Sequence, residues 1–478
     1  MLKHMRKLFS KSENVTYYLL ILTLIFVPLY MKFPLLGISK TFVSIRLEDV
    51  LILATFLSWL VSLAFKKKIL SLFKSDIFFG LFVFFLIGAF SSVSAYWLTK
   101  TVYLNLAILH LLRRFELMIL MPVAYTVIKG LGNRKKIIAL LLMVAFIVNL
   151  YAVGQRWFSF PAVSTTNSEL SKGKVYFLTA EDRISSTFAG HYDLAIFEMM
   201  IVCISVPLVI YLVKKKDIFG SIFVATNSVF SFVVLILTAA RFSFLAVFVG
   251  VTVGFLLIGR KRYLLALVLL FAAMMLYPSQ LRDRIVSTVK VNLLGSFSSF
   301  TATTEQQERR GLLNIPTLPA GEEENKVEGG IPDIVPGEPT ESVDLGVYRS
   351  LSIRLNIEWP RALRAFYKNP FYGTGYSSLG LATDNDFLRM LGEVGLFGTA
   401  SFLLLLTMII KKLWYRFRNS SGFDKYLMVG ILSMLVAFLA NAIFIDVFEA
   451  SKTAAIFWII IGVGISVSRK IAMKGVTK

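Results

Sequence analysis

The chain has 478 residues, 56% of them hydrophobic and 17% charged, with a mean hydropathy of +0.71 and a formal charge of +22. A soluble domain carries about 25% charged residues. The shortfall here falls in blocks of roughly 16 to 22 apolar residues, each near the length that crosses a hydrocarbon layer about 30 Å thick as a helix. That excludes a soluble enzyme, a secreted disulfide scaffold and a disordered protein, and predicts an all-α, polytopic membrane protein.

Twelve spans are predicted in chain order, at about 15–31, 49–64, 76–94, 102–128, 137–154, 192–213, 218–239, 242–259, 262–277, 394–410, 426–445 and 452–468. The fourth is long and interrupted by Arg113, Arg114 and Glu116, which predicts a bend or a partly interfacial course. Basic residues test the count. One set of connections holds 27 of them, from Lys3 through Lys66–Lys68, Lys214–Lys216 and Arg260–Arg262 to Lys478, whereas the alternate short connections hold ten. The asymmetry alternates without a break, so both termini are expected in the cytoplasm. The positive charge therefore reports orientation, and nucleic acid is not an expected partner. The N-terminus reads as a basic start to a first span, without a small-residue cleavage site. Cys203 is the only cysteine, and His4, His110 and His191 show no ligand spacing, so no disulfide, metal or cofactor is expected.

Two outer segments exceed the usual connection length. Residues 155–191 form a loop within the first unit, 1–277, which holds nine spans. Residues 278–393 form a long extracytoplasmic segment, and 394–478 hold the last three spans. Within 278–393, the stretch 301–347 has no aromatic residue and many Glu, Asp and Pro residues. It cannot bury enough apolar surface to offset the entropy of ordering, so it reads as a flexible acidic insertion or a functional acidic tether. Residues 348–368 change character. Leu351, Leu355, Trp359, Leu363 and Phe366 recur at helical spacing, and Arg354, Glu358, Arg361 and Arg364 or Ala365 occupy another face. This predicts an amphipathic helix on the membrane or over a cavity, with Pro360 marking a kink or a restart. Pro370, Gly373 and Gly375 then mark a tight turn.

Candidate chemistry collects at the outer face. Arg241, between two apolar runs, reads as an interfacial anchor or as an anion clamp, because guanidinium stays charged and grips phosphate oxygens in pairs. Arg354 is a solvated charge or a second clamp, and Arg183 a loop charge or a third. Asp384 is a turn former, a helix cap or a base; Glu393 is a second base or an interfacial carboxylate. His191 reads as a satisfied interfacial histidine or a base.

Four stretches in order, RISSTFAGHYDLA, LTAARFSFLA, SIRLNIEWPRALRAFYKNPFYGTGYSS and TDNDFLRMLGEVGLFG, give the chain a likeness to a known family. It resembles the bacterial O-antigen ligase and O-antigen polymerase superfamily. The third stretch is similar to that family's Arg-x4-Trp-x2-Ala helix followed by a Pro-x2-Gly-x-Gly turn, here Arg354, Trp359, Pro370, Gly373 and Gly375. The resemblance implies a GT-C-like, metal-independent glycosyltransferase of the cytoplasmic membrane. Its substrate would be an undecaprenyl-diphosphate-linked glycan, and its acceptor a glycan or lipid hydroxyl at the outer face. Arg241 and Arg354, with Arg183, would hold the diphosphate, and Asp384 or Glu393 would serve as base. Asp384-Asn385 stands where the ligases commonly have His-Asn, which shifts weight toward a polymerase. A ligase, or an exporter without bond-forming chemistry, are the alternatives. Oligomeric state is not legible.

Overall fold

The computed structural model describes residues 2–37, 44–65, 75–165, 173–179, 182–277, 279–289, 354–380 and 383–467. The acidic insertion at 301–347 and the start of the 348–368 helix lie outside the described residues.

The apolar blocks form helices where their composition places them. These are α1 (Leu2–Leu29), α2 (Leu47–Phe65), α3 (Asp76–Ser94), α4 (Leu104–Met118), α5 (Leu120–Leu131), α6 (Arg134–Trp157), α7 (His191–Lys215) and α8 (Ile218–Leu237). They continue with α9 (Arg241–Ile258), α10 (Arg262–Leu276), α11 (Gln280–Val289), α12 (Trp359–Lys368), α13 (Asp386–Arg418), α14 (Gly422–Asn441) and α15 (Ser451–Ser466). Among the described residues, nine helices are long and apolar enough to cross a membrane, which makes this a polytopic, all-α membrane protein. A further pair, α10 and α11, bends by 94° at its break, and α15 is apolar but shorter. Two small antiparallel hairpins are additions that hydropathy did not predict: β1 (Pro34–Gly37) with β2 (Ser44–Arg46), and β3 (Pro161–Val163) with β4 (Val175–Phe177).

Every residue of α15 is buried, and α7 and α14 are mostly buried beside it. The N-terminal end of α15 carries Lys452, itself fully buried. Its ammonium donates to the carbonyls of Pro28, Tyr30 and Thr187, so one buried side chain ties the start of α15 to the end of α1 and to the loop before α7.

The block at 102–128 is two helices, α4 and α5, separated at Ile119. Pro122 explains the break: it has no N–H for the carbonyl of Met118, and it is tolerated only in the first turn of a new helix. The charges there face protein. Arg113 meets Asp49 at 2.5 Å and Glu116 at 3.0 Å, and Arg114 reaches Glu393 at 2.8 Å and also pairs with Glu449.

The 354–368 segment begins with a π-helical turn, Arg354–Glu358, and restarts as α12 with Pro360 in its first turn. It packs on α13 through Ala362 and Ala365, close enough that a Cβ on Gly392 would sit 2.9 Å from the Ala362 carbonyl. The face that meets protein carries Arg354 and Arg361, whereas Leu355 and Leu363 are 45% and 37% exposed.

Candidate functional site: an arginine cluster at one end of the bundle

The C-terminal ends of α1, α6, α8 and α14 meet the N-terminal ends of α7, α9, α13 and α15 at one end of the bundle. Cross-links between segments fix this. Lys452 reaches the end of α1; Gln155 at the end of α6 accepts from Ser185 and Ser186 and donates to the Ser186 carbonyl at 2.9 Å. That last clamp holds the short loop that presents Arg183. Its guanidinium lies 2.8 Å from Nε2 of His191, the first residue of α7. Arginine only donates, so this ring nitrogen accepts and the proton sits on Nδ1.

Arg241 opens α9 and donates to the Arg284 carbonyl at 3.3 Å, while Arg284 donates to the Ala239 carbonyl at 3.4 Å. Arg354 is 1% exposed and donates twice to one carboxylate oxygen of Asp384, at 2.8 Å and 2.5 Å. The guanidinium carbons of Arg241 and Arg354 each lie 5.1 Å from the ring centroid of Phe242. Phe242 stacks on Phe444 at 4.2 Å, and Trp359 lies 6.4 Å from Phe444, so the ring under the two cations is backed by two more. Arg183, Arg284 and Arg354 all act electrostatically on Arg241. Burial, and next the charge of Arg284, push the Arg183 guanidinium below its usual pKa. Four like charges held this close repel one another, and an anion among them relieves that repulsion.

Asp384 has a left-handed backbone, φ 50°, a conformation that asparagine and aspartate tolerate better than other side-chain-bearing residues. Asn385, not Asp384, caps α13, accepting from the backbone of Phe387 at 3.1 Å and Leu388 at 3.0 Å. Asp446, between α14 and α15, accepts from the Thr383 N–H at 2.9 Å, the Asn385 N–H at 3.1 Å and Arg389 at 2.7 Å. The Asp384 loop is thus gripped on both flanks. Burial raises the Asp384 pKa; Arg354 pulls it down and Asp446 pushes it up, for a net upward shift.

Pro370, Gly373 and Gly375 have a different task. Helix α13 breaks at Gly395, φ 64°, and the turn at 370–375 is spliced into the break. Thr374 and Gly375 donate to the carbonyls of Gly392 and Glu393 at 3.0 Å and 2.8 Å; Leu396 and Phe397 donate to those of Pro370 and Phe371 at 2.8 Å and 3.1 Å. A Cβ on Gly373 would lie 2.5 Å from the Glu393 carbonyl, so the backbones touch where only glycine fits.

Arg183, Arg241, Arg354, Asp384 and Trp359 therefore share one neighbourhood. Among the described residues, Glu393 meets it only through Arg389, which also pairs with Asp446. Glu393 is 1% exposed and sits between Arg114 at 2.8 Å and Arg389 at 3.4 Å, in a buried ionic network with Glu449. Arg284, Phe242, Phe444 and Asp446 belong to the neighbourhood but carried no signal of their own. Phe444 lies inside an apolar block and Asp446 in a short connection, where neither residue type is unusual. No family model and no curated protein matches this chain.

Proposed function

We propose that this is a membrane glycosyltransferase, O-antigen polymerase-like, that moves glycan from a polyprenyl diphosphate carrier to a sugar hydroxyl at the outer face of the bacterial cytoplasmic membrane. The observation that carries the reading is the pair Arg241 and Arg354 on one phenyl ring, with Arg183 and Arg284 beside them. As the glycosidic bond to the carrier breaks, negative charge grows on the departing diphosphate, and fixed guanidinium groups stabilise it without reorganising. In this reading the broken helix α4–α5, the bent pair α10–α11 and the shorter α15 complete twelve spans of a GT-C-like bundle. The end carrying Arg134, Lys214 and Lys215 faces the cytoplasm.

An apolar cavity of about 400 Å³ supports the same reading. It runs between α7, α8, α9 and α10, lined by Val202, Phe232, Phe248, Val251, Phe255 and Leu267. Phe248 and Phe255 lie seven and fourteen residues along α9 from Arg241, about 10 and 21 Å deeper at 1.5 Å per residue. A carrier gripped by its diphosphate at Arg241 would thus find an apolar wall for its chain. Glu393 is read as a structural carboxylate, because Arg114 and Arg389 flank it inside a buried ionic network.

Reconstitution with a lipid-linked oligosaccharide tests the proposal. A longer lipid-linked chain is the expected product. A glycan joined to a different acceptor would make the protein a ligase, and no new glycosidic bond from inserted, folded protein would overturn the reading.

A further inference from the structure

Glu358 closes the π-helical turn that begins with Arg354 and immediately precedes Trp359. Such turns are rare and recur at functional sites. The side chain is half-buried, and its Oε2 is buried with no hydrogen-bond partner among the described residues; the Nε1 of Trp359, the next residue in the chain, is likewise buried and unpaired. An unpaired buried carboxylate oxygen is costly and calls for an explanation, such as a role in catalysis.

Asp384 faces Glu358 from the loop before α13, Asp446 from the connection between α14 and α15, and Arg354 and Arg361 from its own segment. The two carboxyls near Arg354 are not equivalent. One oxygen of Asp384 accepts both hydrogen bonds from Arg354 and serves as its counter-charge. Glu358 carries the oxygen left open. Burial, and next the charge of Asp384, push the Glu358 carboxyl up to about 8. A base is most effective when its pKa lies near the working pH, where an ordinary aspartate is too weak.

We propose that Glu358 is the proton acceptor for the attacking sugar hydroxyl, and that Asp384 holds Arg354 in position on the diphosphate. The inference rests on the glycosyltransferase reading above. The hydroxyl proton passes to Glu358 Oε2 as the acceptor oxygen bonds to the anomeric carbon. The bond from that carbon to the diphosphate oxygen breaks, its electron pair leaving with the diphosphate into the arginine cluster. Glu358 afterwards returns the proton to water.

The test is the pH dependence of transfer by the full-length protein in lipid vesicles with a lipid-linked oligosaccharide. The wild-type rate is expected to rise between about pH 6 and pH 9, because the carboxylate form is the active one. Glu358→Gln should lose about a hundredfold or more and with it the rising limb. Glu358→Asp should recover part of the rate with the midpoint displaced, which decides the matter even if the glutamine variant is unstable. Asp384→Asn should lose rate but keep the limb. The inference is overturned if Glu358→Gln keeps the limb, if Glu358→Asp leaves its midpoint unmoved, or if Asp384→Asn alone removes it. Wild-type protein that forms no glycosidic bond would instead overturn the glycosyltransferase reading, and this inference with it.

Discussion

Arg241 and Arg354, contributed by the start of α9 and by the segment before α12, place their guanidinium carbons at the same 5.1 Å from the Phe242 ring centroid. They can therefore be no farther apart than twice that distance. A cation over a ring gains about 0.5–2 kcal/mol, more when desolvated. The ring thus offsets part of the repulsion between the two cations, of which Arg354 is also paired with Asp384. Phe242→Leu keeps the volume and removes the ring's electrostatics. It is expected to lower transfer by about 2- to 30-fold while membrane insertion is unchanged. An unaltered rate would show that the ring only fills space.

Asp384 combines a charge role with a backbone role. Asparagine tolerates its left-handed conformation, so Asp384→Asn removes the counter-charge of buried Arg354 at a cost of about 1–3 kcal/mol. Asp384→Ala adds backbone strain of about 1 kcal/mol or more. Thermal unfolding in detergent should therefore rank wild type above the asparagine variant and that above the alanine variant. Equal melting temperatures for the two variants would contradict the strain argument.

A substitution at Glu393 tests whether this carboxylate is structural. Glu393→Gln leaves Arg114 and Arg389 with less compensation inside the protein, and breaking such buried pairs costs about 3–5 kcal/mol. The melting temperature should fall, while the rate per folded molecule should fall far less than in Arg354→Ala. A stable variant without activity would return Glu393 to the catalytic machinery.

Gly395 and Gly132 both have positive φ but differ in surroundings. A Cβ on Gly395 would lie 2.5 Å from the Gly373 nitrogen, whereas Gly132 has nothing within 4 Å. Gly132→Ala should cost about 1–2 kcal/mol, the left-handed penalty alone. Gly395→Ala must also separate two backbones and should cost about 3 kcal/mol or more, read as a larger drop in melting temperature or in folded yield.

Hydropathy made the helices legible. The predicted spans at 49–64, 76–94, 137–154 and 192–213 lie within α2, α3, α6 and α7, because burial in lipid or in protein demands the same apolar blocks. Periodicity divided 354–368 into an apolar and a charged face, but it does not say which face meets protein; here Arg354 and Arg361 turn inward. The break at Gly395 was invisible because it depends on a turn twenty residues earlier in the chain supplying the missing hydrogen bonds. The site follows the same division. Arg183, Arg241 and Arg354 stand out by residue type, since a charge near an apolar block needs a reason. Phe242, Arg284 and Asp446 do not, because their roles arise only from contacts between distant segments. The open carboxylate of Glu358 was likewise indistinguishable from a solvated charge on a helix face.

The most direct test of the account is the loss of transfer when either shared cation is removed. Arg241→Ala and Arg354→Ala, each inserted at wild-type levels in vesicles with a lipid-linked oligosaccharide, should lower the rate of glycan transfer by about a hundredfold or more. Full activity in either variant would contradict the claim that the two guanidinium groups on Phe242 hold the departing diphosphate.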